Sequence, residues 1–407
     1  MKGTVLFICG GKWQKPWFQF LKNKGHQIIL VDPGEKPECL ALADEHICLD
    51  ARNISGIIKE VTSRNLKIDL ITSDQTDVAC DSVAVLCESL NIQSNKPEIV
   101  KLFTNKFRNR KFLKEGQFAH YPDFREVTTL QDIDGFIGTA SHFEYILKPS
   151  DSQSSRGVFV LNQTNRHQWS QYLQQSINYS NSGQCIVEEF VNGTEFTVEG
   201  ICLNGKHTTL AISRKKHFRT GIASELRYIP NFKFEDKLTQ FHNHFVQATN
   251  LINSITHAEY ILNEETGKFW MVECACRGGG TLIPSHIVPW VSGCDVYETY
   301  YNAITGQAVE PFLPPKIKKA AALFFFEFNS GKVVAIEGLE TAKQLPGVVR
   351  LELEFTEGDI LYPAADDRGR QGFAIVVAEN EQQLESRMEQ VRQAIKVQVL
   401  PKIEKSV

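Results

Sequence analysis

Strand-like and helix-like stretches alternate through residues 4–90, and this alternation restricts the fold more than any other feature of the chain. TVLFIC, HQIILVD and KIDLITSD are apolar runs of strand length, and ALADEHICLD leads into a further strand. Between them PWFQFLKNKG, NISGIIKEVTSRN and DVACDSVAVLCESL read as helices, the last with a clear 3.6-residue period. Strands separated by helices pair in parallel through right-handed crossovers, so a parallel sheet is predicted over residues 1–103.

From Lys96-Pro97 the texture changes. NKFRNRKFLKEG reads as a basic helix ended by Gly116. Strand pairs with polar tips follow. EYILKP and GVFVLN flank DSQSSRG, QCIVEEFV and TEFTVEGICL flank Asn192-Gly193, and THAEYIL and KFWMVECA flank NEETG. Such a run predicts an antiparallel, hairpin-rich region. Beyond the Pro/Lys stretch FLPPKIKK come four more strands, AALFFFEF, KVVAIEG, VVRLELEF and GFAIVVAE, and a charged amphipathic helix, ENEQQLESRMEQVRQAIKV. The fold class is therefore α/β followed by α+β, in two or three domains, which a chain of 407 residues can support.

The formal net charge of −4 gives no electrostatic case for a nucleic-acid partner. The longest apolar runs fall far short of a membrane span. The opening MKGTVLFICGG has too short an apolar core for a signal peptide, so a cytoplasmic protein is expected. The ten cysteines include no C-x-x-C pair and match no zinc or disulfide framework; buried small hydrophobes are the expected role. A dinucleotide site on the first sheet would need G-x-G-x-x-G. Gly10, Gly11 and Asp32 are present, but Lys12-Trp13 stand where small residues belong. A sheet domain that contacts a substrate is expected there instead.

THAEYIL and KFWMVEC, joined by a short Gly-containing turn, predict a hairpin. If the turn centres near Thr266, Glu259 and Glu273 face each other with Cβ atoms roughly 4.5–5.5 Å apart. Two such carboxylates repel unless a cation lies between them. Hard oxygen ligands and an incomplete protein shell suit Mg²⁺ held partly by substrate phosphates, whereas the thiols of Cys274 and Cys276 are soft. The same alternation puts Cys274 on the other face with Trp270 and Val272. Arg277, at the strand end, can bind phosphate or carboxylate with two N–H groups. Solvated glutamates and a surface arginine are the alternative that spacing leaves open.

Glu259, Glu273 and Arg277 together resemble the metal-binding hairpin of the ATP-grasp superfamily. VEEFVNGTEFTVEG is similar to its adenine-binding hinge, YILKPSDSQSSRGVFV to the strand–loop–strand over the triphosphate, and Asn105-Lys106 to its first phosphate-binding lysine. The pieces occur in order within residues 1–310. Gly372–Val397 resembles the C-terminal elaboration of carboxylate–amine ligases, the branch containing L-amino-acid ligases. The resemblance implies a Rossmann-like pre-ATP-grasp domain over 1–103, an ATP-grasp domain over 104–312 with a lid at about 118–190, and a C-terminal α+β subdomain over 313–407.

It also implies ATP and Mg²⁺, with one or two ions and Mn²⁺ able to substitute. Backbone groups of Glu189, Phe190 and Val191 would meet the adenine edge, Glu188 its amine and Glu195 the ribose. Lys106, Lys148 and the loop residues Ser154, Ser155, Arg156 and Gly157 would hold phosphates, and Glu259 and Glu273 the metal. Relatives commonly place Asn two residues after the second glutamate; Ala275 stands here, which puts a second ion in question. Arg277 would stabilise the acylphosphate and the tetrahedral intermediate. The substrate pocket would draw on His217, Arg219, Arg227, Gly278, Gly279, Ser285 and His286. The implied activity is ATP-dependent amide formation from a small-molecule carboxylate and amine, without nucleic acid or membrane, in a monomer or homodimer. The competing readings are an ATP-grasp carboxylase or synthase acting on bicarbonate or a purine intermediate, a dinucleotide-dependent oxidoreductase, and a nucleotide-binding regulator without turnover.

Overall fold

The computed structural model describes residues 2–138, 144–219, 221–309 and 319–401. The first sheet contains β1 (Thr4–Ile8), β2 (Gln27–Val31), β3 (Glu45–Ile47) and β4 (Leu70–Thr72) in the order β3-β2-β1-β4. All its pairings are parallel, as the strand–helix alternation requires. Its central strands are almost wholly buried, which explains why their sequences are continuous apolar runs rather than alternating ones. Asp32, the residue a dinucleotide site would use for ribose, accepts from the backbone N–H groups of Gly10 (2.8 Å) and Gly34 (2.9 Å). It braces the turn after β1.

The basic helix is present as Lys106–Glu115, with Asn105 accepting from Arg108 N at its start and Gly116 at its end. It does not present all its charge to water: Arg110 is fully buried. A four-stranded antiparallel sheet follows, built from β5 (Phe124–Val127), β6 (Tyr145–Pro149), β7 (Phe159–Leu161) and β8 (Cys185–Glu189) in the order β5-β8-β6-β7.

The expected pairing of QCIVEEFV with TEFTVEGICL does not form. β8 ends in the four-stranded sheet, while β9 (Thr194–Leu203) belongs to another, so Glu189–Thr194 is a crossing between sheets. Gly193 lies at this crossing because a Cβ there would come within 2.6 Å of the Leu262 carbonyl oxygen.

The large sheet continues with β10 (Lys206–Arg219), β11 (Ile222–Tyr228), β12 (Ser254–Asn263), β13 (Lys268–Ala275) and β14 (Ala320–Phe325). The last part of the chain supplies β15 (Gly331–Glu337), β16 (Val348–Leu353), β17 (Ile360–Leu361), β18 (Gly372–Ala378) and β19 (Lys396–Leu400). The large sheet runs β13-β12-β9-β10-β11-β14-β18-β16, so three strands beyond residue 313 extend the same sheet, and only β17-β15-β19 form a separate one. The Pro/Lys boundary FLPPKIKK lies, apart from Lys319, outside the described residues. The strongly basic β10 and the helix Glu235–Ala248 were not anticipated from the sequence.

Candidate functional site

A cavity of about 1080 Å³ lies between the four-stranded sheet and one face of the large sheet. The loop at 11–14, after β1, and the segment 367–373, which leads into β18, also line it. Lys12 and Trp13 thus bring the first domain to the wall of the cavity.

β12 and β13 pair with Glu259 opposite Glu273, and both side chains line the cavity. The register breaks immediately beside them: Glu259 pairs with Glu273 but Tyr260 with Met271, so Val272 is an extra residue in β13. This bulge corrects the facing assigned by simple alternation. Phe269 and Met271 are buried in one core cluster with Cys274, while Trp270 lines the cavity with Glu273. Cys274 does turn away from the site, but without Trp270.

Each glutamate already meets a cation. Lys215 Nζ lies 2.7 Å from Glu259 and 2.5 Å from Glu195, and Lys106 Nζ lies 3.1 Å from Glu273. Burial would raise the Glu259 carboxyl's affinity for protons, but Lys215 and His257 overcome that and hold it well below the usual range. His257, two residues along the same strand, has Nδ1 3.0 Å from Glu199. Burial favours its neutral form; Glu199 outweighs it and pushes the imidazole up to about 9. Among the described residues, no cluster of three or more His, Cys, Asp or Glu side chains could hold a metal. Two opposed carboxylates with open cavity in front of them nevertheless fit a hard cation that takes its remaining ligands from phosphates and water.

Deeper between the sheets, Glu188 is fully buried, with Arg110 Nε 2.6 Å from one oxygen and Lys148 Nζ 2.6 Å from the other. Burial raises its pKa and the two cations more than reverse this, leaving it below the usual range. Helix Lys106–Glu115, β6 and β8 each supply one member, so the triad ties three elements together. Arg110 also donates to the Val272 carbonyl (2.6 Å), which fastens the bulge.

The loop after β6 has Ser154, Ser155 and Gly157 in the left-handed region. Ser152 Oγ is buried there without a hydrogen-bond partner, and Lys106 Nζ donates to the Ser152 carbonyl (2.7 Å). Polar loops with adjacent N–H groups of this kind accommodate anions. Arg156 donates to the Gln153 carbonyl, and Gln153 in turn accepts from Asp77 N on the first domain.

Arg277 lines the cavity, pairs through Nε with Asp77 and donates to the Gly278 carbonyl (2.8 Å). Although burial disfavours its charge, Asp77 raises its proton affinity further. Glu189, Phe190 and Val191 also line the cavity.

The predicted substrate residues divide. His217, 3.0 Å from Glu195, and Arg219 line the cavity. Arg219 is engaged with Glu327 (2.7 Å) and the Ala364 carbonyl (2.6 Å). Arg227 lies outside the lining, pairing with Glu225 and Glu385, because its neighbour Leu226 takes the cavity side and strand side chains alternate. Ser285 and His286 also lie outside it, hydrogen-bonded to each other at 2.7 Å. Gly278 N donates to the buried Asp74, joining this turn to the first domain. Gly279 packs under the site: a Cβ there would sit 2.8 Å from His257 Nδ1. Instead Gly280 and Thr281 reach the cavity, and Thr281 and the adjoining Leu282 have left-handed backbone.

Lys215, Arg110, Arg368 and Arg370 are lining residues that sequence reasoning did not single out. The one available signal was the density of basic residues in SRKKHFR, on a strand otherwise destined for a sheet interior.

Residues 141–285 match the model of the ATP-grasp domain, and residues 324–400 that of L-amino acid ligase C-terminal domain 2. The chain is 23% identical to dapdiamide A synthase of Enterobacter agglomerans, over 94% of this chain and 93% of that protein. Its structure is similar to that of L-amino acid ligase from Bacillus licheniformis, with a TM-score of 0.81 at 17% identity, covering 98% and 99% of the two chains. It is also similar to N5-carboxyaminoimidazole synthetase from Staphylococcus aureus complexed with ADP, with a TM-score of 0.73 at 18% identity over 96% of each chain.

Proposed function

The chain is an ATP-grasp protein of the carboxylate–amine ligase branch, and on that premise we propose that it joins a carboxylate to an amine, at least one of them an amino acid, with ATP cleaved to ADP and phosphate. The observation that carries the reading is the pair Glu259–Glu273, opposed in register and each beside a lysine, in a cavity closed by two sheets.

Two anions, a carboxylate and a triphosphate, must meet in this reaction. Lys106, Lys148 and Lys215 offset the charge of the phosphates, and the N–H groups and hydroxyls of loop 152–157 orient them. Val191 and its neighbours receive the adenine, with Glu188 at its amine and Glu195 at the ribose. Glu259 and Glu273 are the residues that would hold Mg²⁺, which supplies charge neutralisation at the phosphates when bound. A carboxylate oxygen of the acyl substrate forms a bond to the γ-phosphorus as the bond to the β,γ-bridging oxygen breaks, giving an acylphosphate and ADP. The amine nitrogen then bonds to the acyl carbon, phosphate departs and a proton is lost from nitrogen. Arg277, held by Asp77, stabilises the acylphosphate and the oxyanion. Enclosure between the sheets keeps water from the acylphosphate.

The reading is tested by supplying amino acids in pairs and following ATP-dependent phosphate release. Dependence on an amino acid supports a ligase; dependence on bicarbonate would reassign the chain to the carboxylases. Cytoplasmic residence and a homodimer belong to the same proposal, and light scattering checks the second. No helix among the described residues is long and apolar enough to cross a membrane.

Arg277→Lys is expected to slow acyl transfer while ATP affinity survives, because lysine lacks the planar fork and the nucleotide contacts lie on other elements. Nucleotide affinity and turnover in one preparation check this; lost affinity with intact turnover at saturating ATP would make Arg277 a nucleotide ligand only. The double substitution Cys274→Ser, Cys276→Ser is expected to keep Mg²⁺-dependent activity within about tenfold of wild type, ~1.4 kcal/mol of barrier. Cys274 is a core residue, so melting is measured alongside. A stably folded but inactive double variant would return the chemistry to the sulfurs.

A further inference from the structure

Non-glycine residues seldom hold a left-handed backbone, and a β-branched residue there is a genuine outlier. Three such residues meet at one junction beside the cavity. Thr281 (φ 53°) and Leu282 (φ 65°) are consecutive in the segment that follows Arg277, and Gln75 (φ 56°) follows β4 in the first domain. All three are buried. Gln75 Oε1 accepts from Leu282 N (3.1 Å), so the strained turn is bonded to a residue that is itself strained.

The same stretch of the first domain holds the other end of the segment. Asp74 is buried and accepts from Gly278 N (2.9 Å) and from Tyr297 Oη (2.8 Å). The Asp74 carbonyl accepts from Gln14 Nε2 (2.8 Å), and Gln75 Nε2 donates to the Trp13 carbonyl (2.8 Å). The loops after β1 and β4 are thus tied to each other and grip the segment as one body. The turn's own closing bond, Ile283 N to the Gly280 carbonyl, is long at 3.4 Å. Backbone of this kind persists only where its surroundings over-determine it, and the side chains that do so here come from the parallel-sheet domain. Between the two held ends, Gly280 and Thr281 line the cavity along with Arg277.

We infer that Gln75 is a positioning residue of the acyl-transfer site: through Leu282 N it sets the backbone at Gly280 and Thr281, and the preference for amide formation over acylphosphate hydrolysis depends on it. This rests on the ligase reading. Without the bond to Leu282 the turn can relax to unstrained backbone, and the wall that carries Gly280 and Thr281 shifts. The acylphosphate is then open to water. A water oxygen bonds to the acyl carbon, phosphate departs and a proton is lost from that oxygen, so the carboxylate is regenerated and ATP is consumed without amide.

The test compares wild type with Gln75→Met, which keeps the side-chain length and loses both hydrogen bonds. Each receives ATP, Mg²⁺ and an equimolar mixture of the common proteinogenic L-amino acids, and ADP and total amide are quantified in the same samples. Wild type is expected to give one ADP per amide. Gln75→Met should form amide ~10-fold more slowly, since small displacements at a reacting centre carry penalties of that size and more. Its ADP formation should fall far less, so that ADP outruns amide, and its affinity for a non-hydrolysable ATP analogue should match that of wild type. A parallel loss of ADP and amide, or no loss of either, would overturn the assignment, because a purely structural role lowers the amount of competent protein and leaves the ratio alone. Should Gln75→Met melt below the assay temperature, Gln75→Asn, too short to reach Leu282, carries the same expectation. Gln75→Glu is the conservative control: buried beside Asp74, its carboxyl keeps its proton, accepts from Leu282 and donates to Trp13. Its ratio should stay near that of wild type, and a ratio as high as that of Gln75→Met would also overturn the assignment. Failure of the ligase reading looks different: wild type itself forms no amide from the mixture.

Discussion

Replacement of Glu273 by Gln is expected to lower ATP-dependent amide formation at least ~10³-fold, about 4 kcal/mol of barrier, with the fold retained. The side chain is 27% exposed, projects into the cavity and takes no part in a core cluster, so little packing depends on it. Its charge faces Glu259 across the hairpin, and removing one of two opposed carboxylates relieves repulsion rather than adding strain. What is lost is the negative partner of Lys106 and one of the two anionic oxygen groups available to a hard cation. ADP formation at saturating Mg²⁺, compared with thermal melting of the same sample, measures both halves of the expectation. Near-normal turnover would remove Glu273 from the catalytic machinery.

A larger effect on stability is expected from Glu188→Ala. Truncation leaves Arg110 and Lys148 buried and facing each other without their shared anion. Breaking a buried ion pair from one side costs about 3–5 kcal/mol, because the partner's charge stays desolvated. Three elements converge on this carboxylate, so loosening should extend to the helix Lys106–Glu115 and, through Arg110 and Val272, to the bulge beside Glu273. Hydrogen exchange would then rise in β8, β6 and β13 together; a rise confined to β8 would show that the triad does not link them.

The pH dependence has a definite sign. The folded-state pKa of Glu188 lies below the ordinary 4.5, so its contribution is present above that value and is lost as pH falls through the folded-state pKa. The stability gap between wild type and Glu188→Gln should therefore narrow below about pH 4.5, measured by denaturant titration. A gap that stays constant into acid would mean that the charge does not stabilise the fold.

Much of the site was legible in the sequence because its parts are local. A hairpin with a short turn brings β12 beside β13, and Glu259 does face Glu273. The turn-side register, with Asn263 opposite Lys268, would by itself put Val272 opposite Glu259; the bulged Val272 adds one residue and brings Glu273 there instead. The facing of Trp270 was not legible for the same reason: one inserted residue reverses every side chain beyond it, and nothing in KFWMVECA marks the insertion. Arg110 was equally hidden. On a helix of composition NKFRNRKFLKE, burial of one arginine among several basic residues depends on where Glu188 arrives from another strand, some eighty residues away.

By itself the sequence determined the element types, the parallel first sheet, the polar strand–loop–strand after Lys148 and the hairpin that carries the two carboxylates. Each of these follows from side-chain period, turn residues and spacing within some thirty residues. Only the tertiary structure decided which strands share a sheet. β8 and β9 are consecutive yet belong to different sheets, while β18, more than 150 residues beyond β9, joins the same one. Strand pairing is decided by burying a common apolar face, and such faces on distant segments carry no label in sequence that says which will meet. That assembly set Lys215 between two glutamates and placed Arg370 over Phe325, because long-range charge pairing and stacking are chosen by packing after the local elements exist.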